Sequence, residues 1–213
     1  MGKVIADISM SLDGYIAGPN PSPEEPLGKN GESLHEWVVR LASWRKRHGL
    51  EGGETGPDND LVQASTENIG AFIMGRKMFN GGEGPWEKDT NLDGWWGDTP
   101  PFNAPVFILT KHPREKVTKE GGTTFTFVTD GVESALKQAK EAAGDKDIQI
   151  SGGANAIQQF IKAGLVDEIQ IHMPHVLLGG GRKLLENLGD AKMEKIKVID
   201  SPDVTHLLFR IKK

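Results

Sequence analysis

The chain has 213 residues and a formal net charge of −5 at pH 7, and 26% of its residues are charged; this size and composition predict one globular domain spanning residues 1–213. It contains no cysteine, which excludes disulfides, thiolate zinc sites and cysteine nucleophiles, and its charges form no basic stripe of the kind that binds nucleic acid. No apolar run is long enough to span a bilayer and none resembles a secretory signal, so we expect a cytoplasmic protein that does not bind membranes.

The first half of the sequence predicts two strands, two helices and long loops. Ser33 and Glu36 form a capping box, in which the serine oxygen accepts a free helix N–H and the glutamate reaches back. Gly49 can end the helix that follows. The elements expected up to residue 80 are, in chain order, a strand at 4–9, a turn-rich loop from Ser11 to Gly18, a helix from Ser33 to Gly49, a second helix at 59–68 and a strand at 71–74.

The second half alternates strands with helices. A loop over residues 80–104 contains Trp86, Trp95 and Trp96, which either stack on a flat heterocycle or hold the loop in place. After it we expect strands at 105–110 and 124–128, a helix capped by Asp130 and ended by Gly144, a strand at 147–151, a helix ending near Gly164, a strand at 166–173, a short helix through Leu184 and Leu185, and strands at 193–200 and 204–211.

This order of elements predicts the fold class. Strands that alternate with helices indicate a largely parallel sheet with right-handed crossovers. The last two strands alternate polar and apolar residues, as half-buried antiparallel strands do. We therefore expect an α/β protein with a mixed, mostly parallel sheet flanked by helices and a C-terminal antiparallel pair. Ligands of such sheets bind beyond the carboxyl ends of the parallel strands.

One predicted strand end combines two glycines with a helix start, in the run Ser151-Gly152-Gly153-Ala154-Asn155. Glycine lets a ligand approach the backbone closely, and the helix dipole favours an anion. The run therefore indicates a pyrophosphate site, although a tight strand-to-helix turn without a ligand explains it as well. It is not the six-residue dinucleotide fingerprint.

Two other strand ends carry positive charge, in Arg76-Lys77 and Thr110-Lys111. Arginine can bind a phosphate through two parallel hydrogen bonds, and a threonine hydroxyl can donate a third. Together these residues predict a site for the 2′-phosphate that distinguishes NADPH from NADH. Taken singly, each is more simply a solvated surface residue, and it is the agreement of three strand ends that favours a cofactor.

Several motifs together resemble the dihydrofolate-reductase-like family, and more closely the C-terminal reductase domain of the bifunctional riboflavin-biosynthesis deaminase-reductase. The resemblance spans nearly the whole chain. It implies a mixed sheet of eight or nine strands, NADPH as the hydride donor and a homodimer. The motifs that carry it are Ser11-Leu12-Asp13-Gly14-Tyr15-Ile16-Ala17, Met74-Gly75-Arg76, Ser151-Gly152-Gly153-Ala154 through Gly164-Leu165-Val166-Asp167-Glu168-Ile169, and Pro174 to Gly181.

The same resemblance implies roles for individual residues. Gly75, Arg76 and Lys77 would lie by the adenosine end of the cofactor, and Thr110 and Lys111 would flank its 2′-phosphate. The loop from Ser11 to Ala17 would cover the nicotinamide, with Asp13 as the catalytic residue near the reacting centre. The remaining cofactor-binding residues, most of them around the pyrophosphate, would be Ala6, Gly152, Gly153, Ala154, Asn155 and Ala156.

The chain departs from the riboflavin-pathway reductases where they contact their substrate. They carry an acidic residue just before the paired glycines, and Ser151 stands there in this sequence. Their arginine-bearing substrate loop is replaced by the tryptophan-rich loop. We predict that Ser33, Trp37 and Ser151 bind the substrate. His172 and His175 would point to opposite faces of a strand, so no metal site is expected.

These observations predict an NADPH-dependent reductase that transfers a hydride to a small flat heterocycle, pteridine-like or pyrimidine-like, or to a carbonyl compound. The cofactor would carry the chemistry and the fold would set distance, angle and charge. Asp13, or a water that it orders, could supply the proton if its surroundings raise its pKa. The alternative is a non-catalytic nucleotide-binding protein that retains the fold.

Overall fold

The computed structural model describes residues 2–22, 24–80, 82, 84–86 and 93–212, and a single mixed β-sheet runs through its centre. Most of its strands are rich in β-branched and aromatic residues, which favour a pleated, half-buried backbone. The nine strands are β1 (Val4–Ser9), β2 (Ile69–Gly75), β3 (Pro105–Leu109), β4 (Val117–Thr118), β5 (Thr124–Val128), β6 (Asp147–Gly152), β7 (Glu168–Pro174), β8 (Lys192–Asp200) and β9 (Val204–Lys212).

Six α-helices connect and flank these strands in the described residues. Two 3₁₀ turns accompany them, at Gly31–Leu34 and Glu120–Gly122. The helices are α1 (Glu36–Val39), α2 (Ala42–Arg47), α3 (Pro57–Glu67), α4 (Arg76–Asn80), α5 (Val132–Ala143) and α6 (Ala154–Lys162).

The sheet order is β4-β5-β3-β2-β6-β1-β7-β9-β8. The strands from β5 to β7 are parallel to one another, whereas β9 is antiparallel to both β7 and β8. The prediction of a mostly parallel sheet with a C-terminal antiparallel pair is confirmed. The short strand β4, which pairs antiparallel with β5, was not predicted.

The two faces of the sheet are covered differently. One face carries the main core, where apolar side chains such as Ile150 and Ile169 pack with Leu136 of α5 and Phe160 of α6. On the other face, a second apolar cluster covers β2, β3 and β5, and Trp37 with its neighbours covers the β7–β9 side. Between these two clusters lies a strip of polar side chains, which is described below.

The helix predicted from Ser33 to Gly49 is wrong as one element, because the chain breaks into a 3₁₀ turn, α1 and α2. Leu41 has an extended backbone (φ −71°, ψ 142°) and forms a bridge with Glu54, a long-range pairing that interrupts the helix. The hydroxyl of Ser33 donates to the carbonyl of Asn30 at 2.7 Å. Since it does not accept a helix N–H, the predicted capping box is not formed.

Two further predictions differ from the structure. Asp130 does not cap α5, because the N-cap is Gly131 and the Asp130 carboxylate accepts instead from the Ser134 hydroxyl at 3.0 Å. The segment through Leu184 and Leu185 is not helical; its neighbour Lys183 bridges to Tyr15. The predicted second helix, the remaining strands and the ends of α5 and α6 agree to within a few residues. Over the described ranges, no helix combines the length and apolar character needed to cross a membrane.

Candidate functional site

Two glycine-ended strands lie side by side in the sheet. β2 ends at Gly75 and β6 at Gly152, and these strands are parallel neighbours. A Cβ atom built on Gly75 would lie 3.7 Å from Cβ of Ala156, 3.8 Å from the oxygen of Gly152 and 3.9 Å from the nitrogen of Gly153. The structure therefore brings together four of the residues that the sequence analysis assigned to the cofactor.

The turn from β6 into α6 exposes backbone at a helix N-terminus. Gly153 is the N-cap of α6, and no side chain caps this end of the helix. No described atom lies within 4 Å of a Cβ built on Gly153. Ala154 is buried and Asn155 is exposed. Free N–H groups and the helix dipole suit such a turn to an anion.

Ala6 lies apart from this turn. It is fully buried in β1 and aligns with Ile150 of β6. Its side chain belongs to the main core, so the structure does not bring it to the glycine-lined strand ends.

Arg76, the first residue of α4, stacks on a tryptophan. Its guanidinium carbon lies 3.5 Å from the ring centroid of Trp86, and its Nη1 donates to the carbonyl of Gly84. The guanidinium carbon of Arg114 lies 5.1 Å from the same ring centroid. A cation over an aromatic face is favourable by about 0.5–2 kcal/mol, depending on desolvation. Trp86 thus holds two arginines near the ends of β2 and β3.

Thr110 and Trp86 both bind the backbone of His112. Trp86 Nε1 donates to the carbonyl of His112 at 2.8 Å, and the Thr110 hydroxyl accepts the N–H of His112 at 3.1 Å. The side chains of Lys77 and Lys111 are exposed. Of the predicted 2′-phosphate residues, Arg76 and Thr110 therefore belong to one network around Trp86.

Of the two roles predicted for the tryptophans, the contacts of Trp86 and Trp96 fit that of holding the loop. The ring of Trp96 lies 4.9 Å from that of Phe102 and 6.2 Å from that of Phe125. Residues 81, 83 and 87–92 of the predicted loop lie outside the described residues.

Asp13 is held by three hydrogen bonds. It accepts from the Ser11 hydroxyl at 2.6 Å and from the backbone N–H groups of Leu178 at 3.1 Å and Gly179 at 2.7 Å. The Ser11 bond most of all, together with the two backbone bonds, lowers the pKa of Asp13. Its surroundings therefore do not raise its pKa, which was the condition for Asp13 to be the proton donor. The carboxylate instead ties the Ser11–Ala17 loop to the segment after β7.

A polar strip crosses four neighbouring strands on the face that carries Trp37. Ile5 aligns with Gln149 and Ala6 with Ile150 of β6, so Asp7 and Gln149 share the face opposite Ala6 and Ile150. Ser151 follows Ile150 at the point where the register between β2 and β6 shifts. The strip consists of Gln149 and Ser151 of β6, Asp7 and Ser9 of β1, Gln170 and His172 of β7, and His206 of β9. Within the described residues, Oε1 of Gln149 and Oγ of Ser151 are buried and have no hydrogen-bond partner. Buried polar atoms of this kind call for an explanation, and a ligand in this strip would supply one.

Four titratable side chains within the strip and beside it are linked in series by close polar contacts and are called the four-residue chain below. His172 Nε2 lies 3.0 Å from Oδ1 of Asp7, His172 Nδ1 lies 2.6 Å from His206 Nδ1, and His206 Nε2 lies 3.1 Å from Oδ1 of Asp58 on α3. Burial, followed by the nearby His172, lowers the pKa of His206, and Asp58 opposes this change. Asp58 also accepts from the Ser201 hydroxyl. Sequence reasoning missed this chain because its members come from four separate elements.

Trp37 lies against this chain. Its Nε1 donates to the Ser9 hydroxyl at 3.3 Å, and its ring centroid is 4.8 Å from that of His172. Trp37 and Ser33 also line a cavity of about 210 Å³ that reaches His175. Ser151, the third predicted substrate residue, does not line that cavity and lies in the strip.

The described residues contain no cluster of three or more acidic and histidine side chains arranged to hold a metal. Two arrangements were not predicted from sequence, namely the four-residue chain and the placing of Arg114 beside Trp86. The alternation of polar and apolar residues at Asp7 and Ser9 was the available signal for the first. No local signal pointed to the second.

A family model described as the RibD C-terminal domain matches residues 2–207. Among curated proteins, the uncharacterised YyaP of Bacillus subtilis is 26% identical over 192 residues, which cover 85% of this chain and 79% of YyaP.

Solved structures with the same fold include reductases. A putative riboflavin biosynthesis protein from Shewanella sp. PV-4 superposes with a TM-score of 0.62 at 24% identity, covering 99% of each chain. Dihydrofolate reductase from Enterococcus faecalis, complexed with NADP(H), gives a TM-score of 0.54 at 16% identity, covering 100% of this chain and 98% of that one. The Saccharomyces riboflavin biosynthesis reductase Rib7 gives 0.55 at 12% identity, with coverages of 100% and 89%.

Proposed function

The chain belongs to the family of RibD C-terminal domains, and we propose on this premise that it is an NADPH-dependent reductase of a small flat heterocycle or carbonyl compound. The fold is of the reductase type. The observation that carries the proposal is the convergence of Gly75, Gly152, Gly153 and Ala156 beside the N-terminus of α6, with open space next to Gly153.

The residues at these strand ends fit the parts of NADPH. A diphosphate needs close backbone approach and free N–H groups, and a side chain at Gly153 would occupy space that no described atom fills. Arg76 and Arg114 near the Trp86 ring, with the exposed Lys77 and Lys111, provide the positive charge that a 2′-phosphate requires. When bound, NADPH would supply the hydride.

The polar strip supports a substrate site next to that cofactor. Ser151 directly precedes Gly152, so the strip begins where the glycine turn begins. The unpartnered Oγ of Ser151 and Oε1 of Gln149 could bind the N–H and C=O groups at the edge of a heterocycle. Buried polar groups that lack a partner strongly favour a ligand that supplies one.

Asp13 receives a different role from that of proton donor. Since its pKa is lowered and it accepts from the N–H groups of Leu178 and Gly179, we assign it to positioning the Ser11–Ala17 loop over the nicotinamide. Closing this loop would exclude water from the reacting atoms.

The test combines cofactor binding with turnover. Titrations monitored by the fluorescence of each reduced cofactor should show that NADPH binds more tightly than NADH. NADPH oxidation should then be measured with a panel of pteridines, pyrimidines and carbonyl compounds. Tight binding with no oxidation by any of them would favour a non-catalytic nucleotide-binding protein, and equal affinity for the two cofactors would contradict the assignment of the 2′-phosphate site.

A further inference from the structure

The chain Asp7–His172–His206–Asp58 lies inside the protein with both ends within reach of solvent. The side chains of His172 and His206 are 5% and 3% exposed, whereas Asp7 and Asp58 at the two ends are 15% and 20% exposed. Each adjacent pair is within hydrogen-bond distance, at 3.0, 2.6 and 3.1 Å. The arrangement is therefore two buried imidazoles between two carboxyl groups.

The three hydrogen bonds of this four-residue chain need one more proton than two neutral imidazoles supply. Three hydrogen bonds join the four side chains, and each needs a proton. Two neutral imidazoles carry two protons, and ionised carboxylates carry none. A third proton is therefore needed to form all three bonds at once. Placed on the histidine pair, it makes one imidazolium shared by the two rings and gives the four groups together a net charge of −1.

Other charged groups face this chain from each neighbouring element. His35, between the 3₁₀ turn and α1, is close enough that His172 contributes to lowering its pKa to about 4, after the larger effect of burial. Arg47 of α2 faces Asp7, and Arg40 faces Asp58. Lys197 of β8 lines a small hollow with His206. The extra proton is thus stabilised by two carboxylates and opposed by burial and by the charges of Arg40, Arg47 and Lys197.

The Asp7 end of the chain reaches the proposed substrate site. Asp7 directly follows Ala6, which aligns with Ile150, and Ser151 lies between Ile150 and Gly152 on β6. Cδ1 of Ile8 would lie 3.6 Å from a Cβ built on Gly152. The Asp7 carboxyl group therefore stands one strand away from the turn assigned to the cofactor. Asp13, the other candidate acid, is held as a carboxylate by its own hydrogen bonds.

We propose that the Asp7–His172–His206–Asp58 chain stores the proton of the reduction and delivers it through Asp7, an inference that rests on the proposed function. The substrate carbon receives the hydride, and the adjoining nitrogen or oxygen takes a proton that the ionised Asp7 carboxylate first receives from His172. The Nε2 proton of His172 moves to Asp7, and the Nδ1 proton of His206 moves to Nδ1 of His172. The substrate double bond is reduced, NADPH is oxidised, and both imidazoles end neutral. Solvent reloads the chain through Asp7 after the product leaves.

The decisive variant is Asp58→Asn, which keeps the shape of the side chain and an oxygen that can accept from Ser201 and His206. Asp60→Asn is the matched control, because Asp60 lies on the same helix and is exposed. Without the Asp58 charge the shared imidazolium is less stable. The pKa of His206, which Asp58 raises, should fall by about one unit or more, as expected on losing a charge partner in contact.

Two measurements test this change in pKa. Nuclear magnetic resonance of ¹⁵N-histidine-labelled protein should show His172 and His206 titrating together as a coupled pair, with a midpoint that moves to lower pH in Asp58→Asn and not in Asp60→Asn. The basic limb of the pH profile of kcat should move by the same amount. A merely structural role for Asp58 would lower kcat at all pH values without moving that limb.

Three results would overturn the inference: both imidazoles neutral at the pH of turnover, independent titration of the two histidines, or a basic limb that Asp58→Asn leaves unmoved. Failure of NADPH to bind the unmodified chain would instead refute the proposed function. The acid role of Asp7 would fall with it, while the magnetic resonance titration would still decide the proton count.

Discussion

Replacing Gly153 with valine should abolish NADPH binding and leave the protein folded. Gly153 has an extended backbone (φ −73°, ψ −168°), which valine adopts readily, and no described atom lies within 4 Å of the new Cβ. The cost to folding is therefore the loss of a favourable N-cap residue, about 1 kcal/mol. For a chain of this size we expect a fall in Tm of about 2–4 °C.

The expected loss of binding is much larger. A valine side chain would hold a phosphate away from the N–H groups at the start of α6, and each charge-assisted hydrogen bond is worth about 1.5–3 kcal/mol. Losing two would cost about 3–6 kcal/mol, or a factor of roughly 10² to 10⁴ in Kd. Fluorescence titration of NADPH measures this loss, and thermal unfolding checks the fold. Ala163→Val, at the exposed C-terminal end of α6, is the control. Unchanged NADPH affinity in a folded Gly153→Val protein would refute the placing of the diphosphate.

Three further predictions follow from other parts of the structure. Arg76→Ala should reduce the preference for NADPH over NADH by about tenfold or more, since one charge-assisted bond to the 2′-phosphate is lost. Arg45→Ala, which removes another arginine bonded to a backbone carbonyl, should leave that preference unchanged. An unchanged preference in Arg76→Ala would contradict the role of Arg76. Burial lowers the pKa of His35 to about 4, so the unfolded chain binds a proton there between about pH 6.5 and 4 that the folded chain does not. The free energy of unfolding should fall by up to about 3 kcal/mol as pH drops through that window. Denaturant unfolding of His35→Gln should show a smaller fall in this free energy. An equal fall would contradict the effect of burial on the pKa of His35. The phosphoribosylamino-pyrimidine of riboflavin synthesis should be reduced at well under about one per second, because Ser151 is shorter than an acidic residue and uncharged. The rate of NADPH oxidation with that pyrimidine tests this prediction. A rate of about one per second or more would show that another residue replaces the acid.

Much of the sheet could be predicted because most of its strands can be recognised from their own residues. β2 and β3 are short apolar runs, β2 and β6 end at glycine, and the C-terminal strands alternate polar and apolar residues. The strand ends were therefore found before their neighbours were known, and the structure brings Gly75 next to Gly152 as a parallel sheet requires.

The errors in prediction arose where distant residues decide the local structure. Leu41 leaves the helix because it pairs with Glu54, and no short-range pattern indicates that pairing. The contact between His172 and His206 depends on the antiparallel register of β7 and β9, which a one-residue slip would abolish. Their link to Asp58 depends further on the docking of α3, so spacing along the sequence gave no hint of it.

The central claim, that this chain transfers a hydride from NADPH, is tested most directly with NADPH deuterated at C4 of the nicotinamide. Mass spectrometry of the product formed from the best substrate of the panel should show one deuterium from one of the two C4 stereoisomers and none from the other, because a fixed cofactor presents a single face to the substrate strip. A product without deuterium from either stereoisomer would contradict the account, even if NADPH binds tightly.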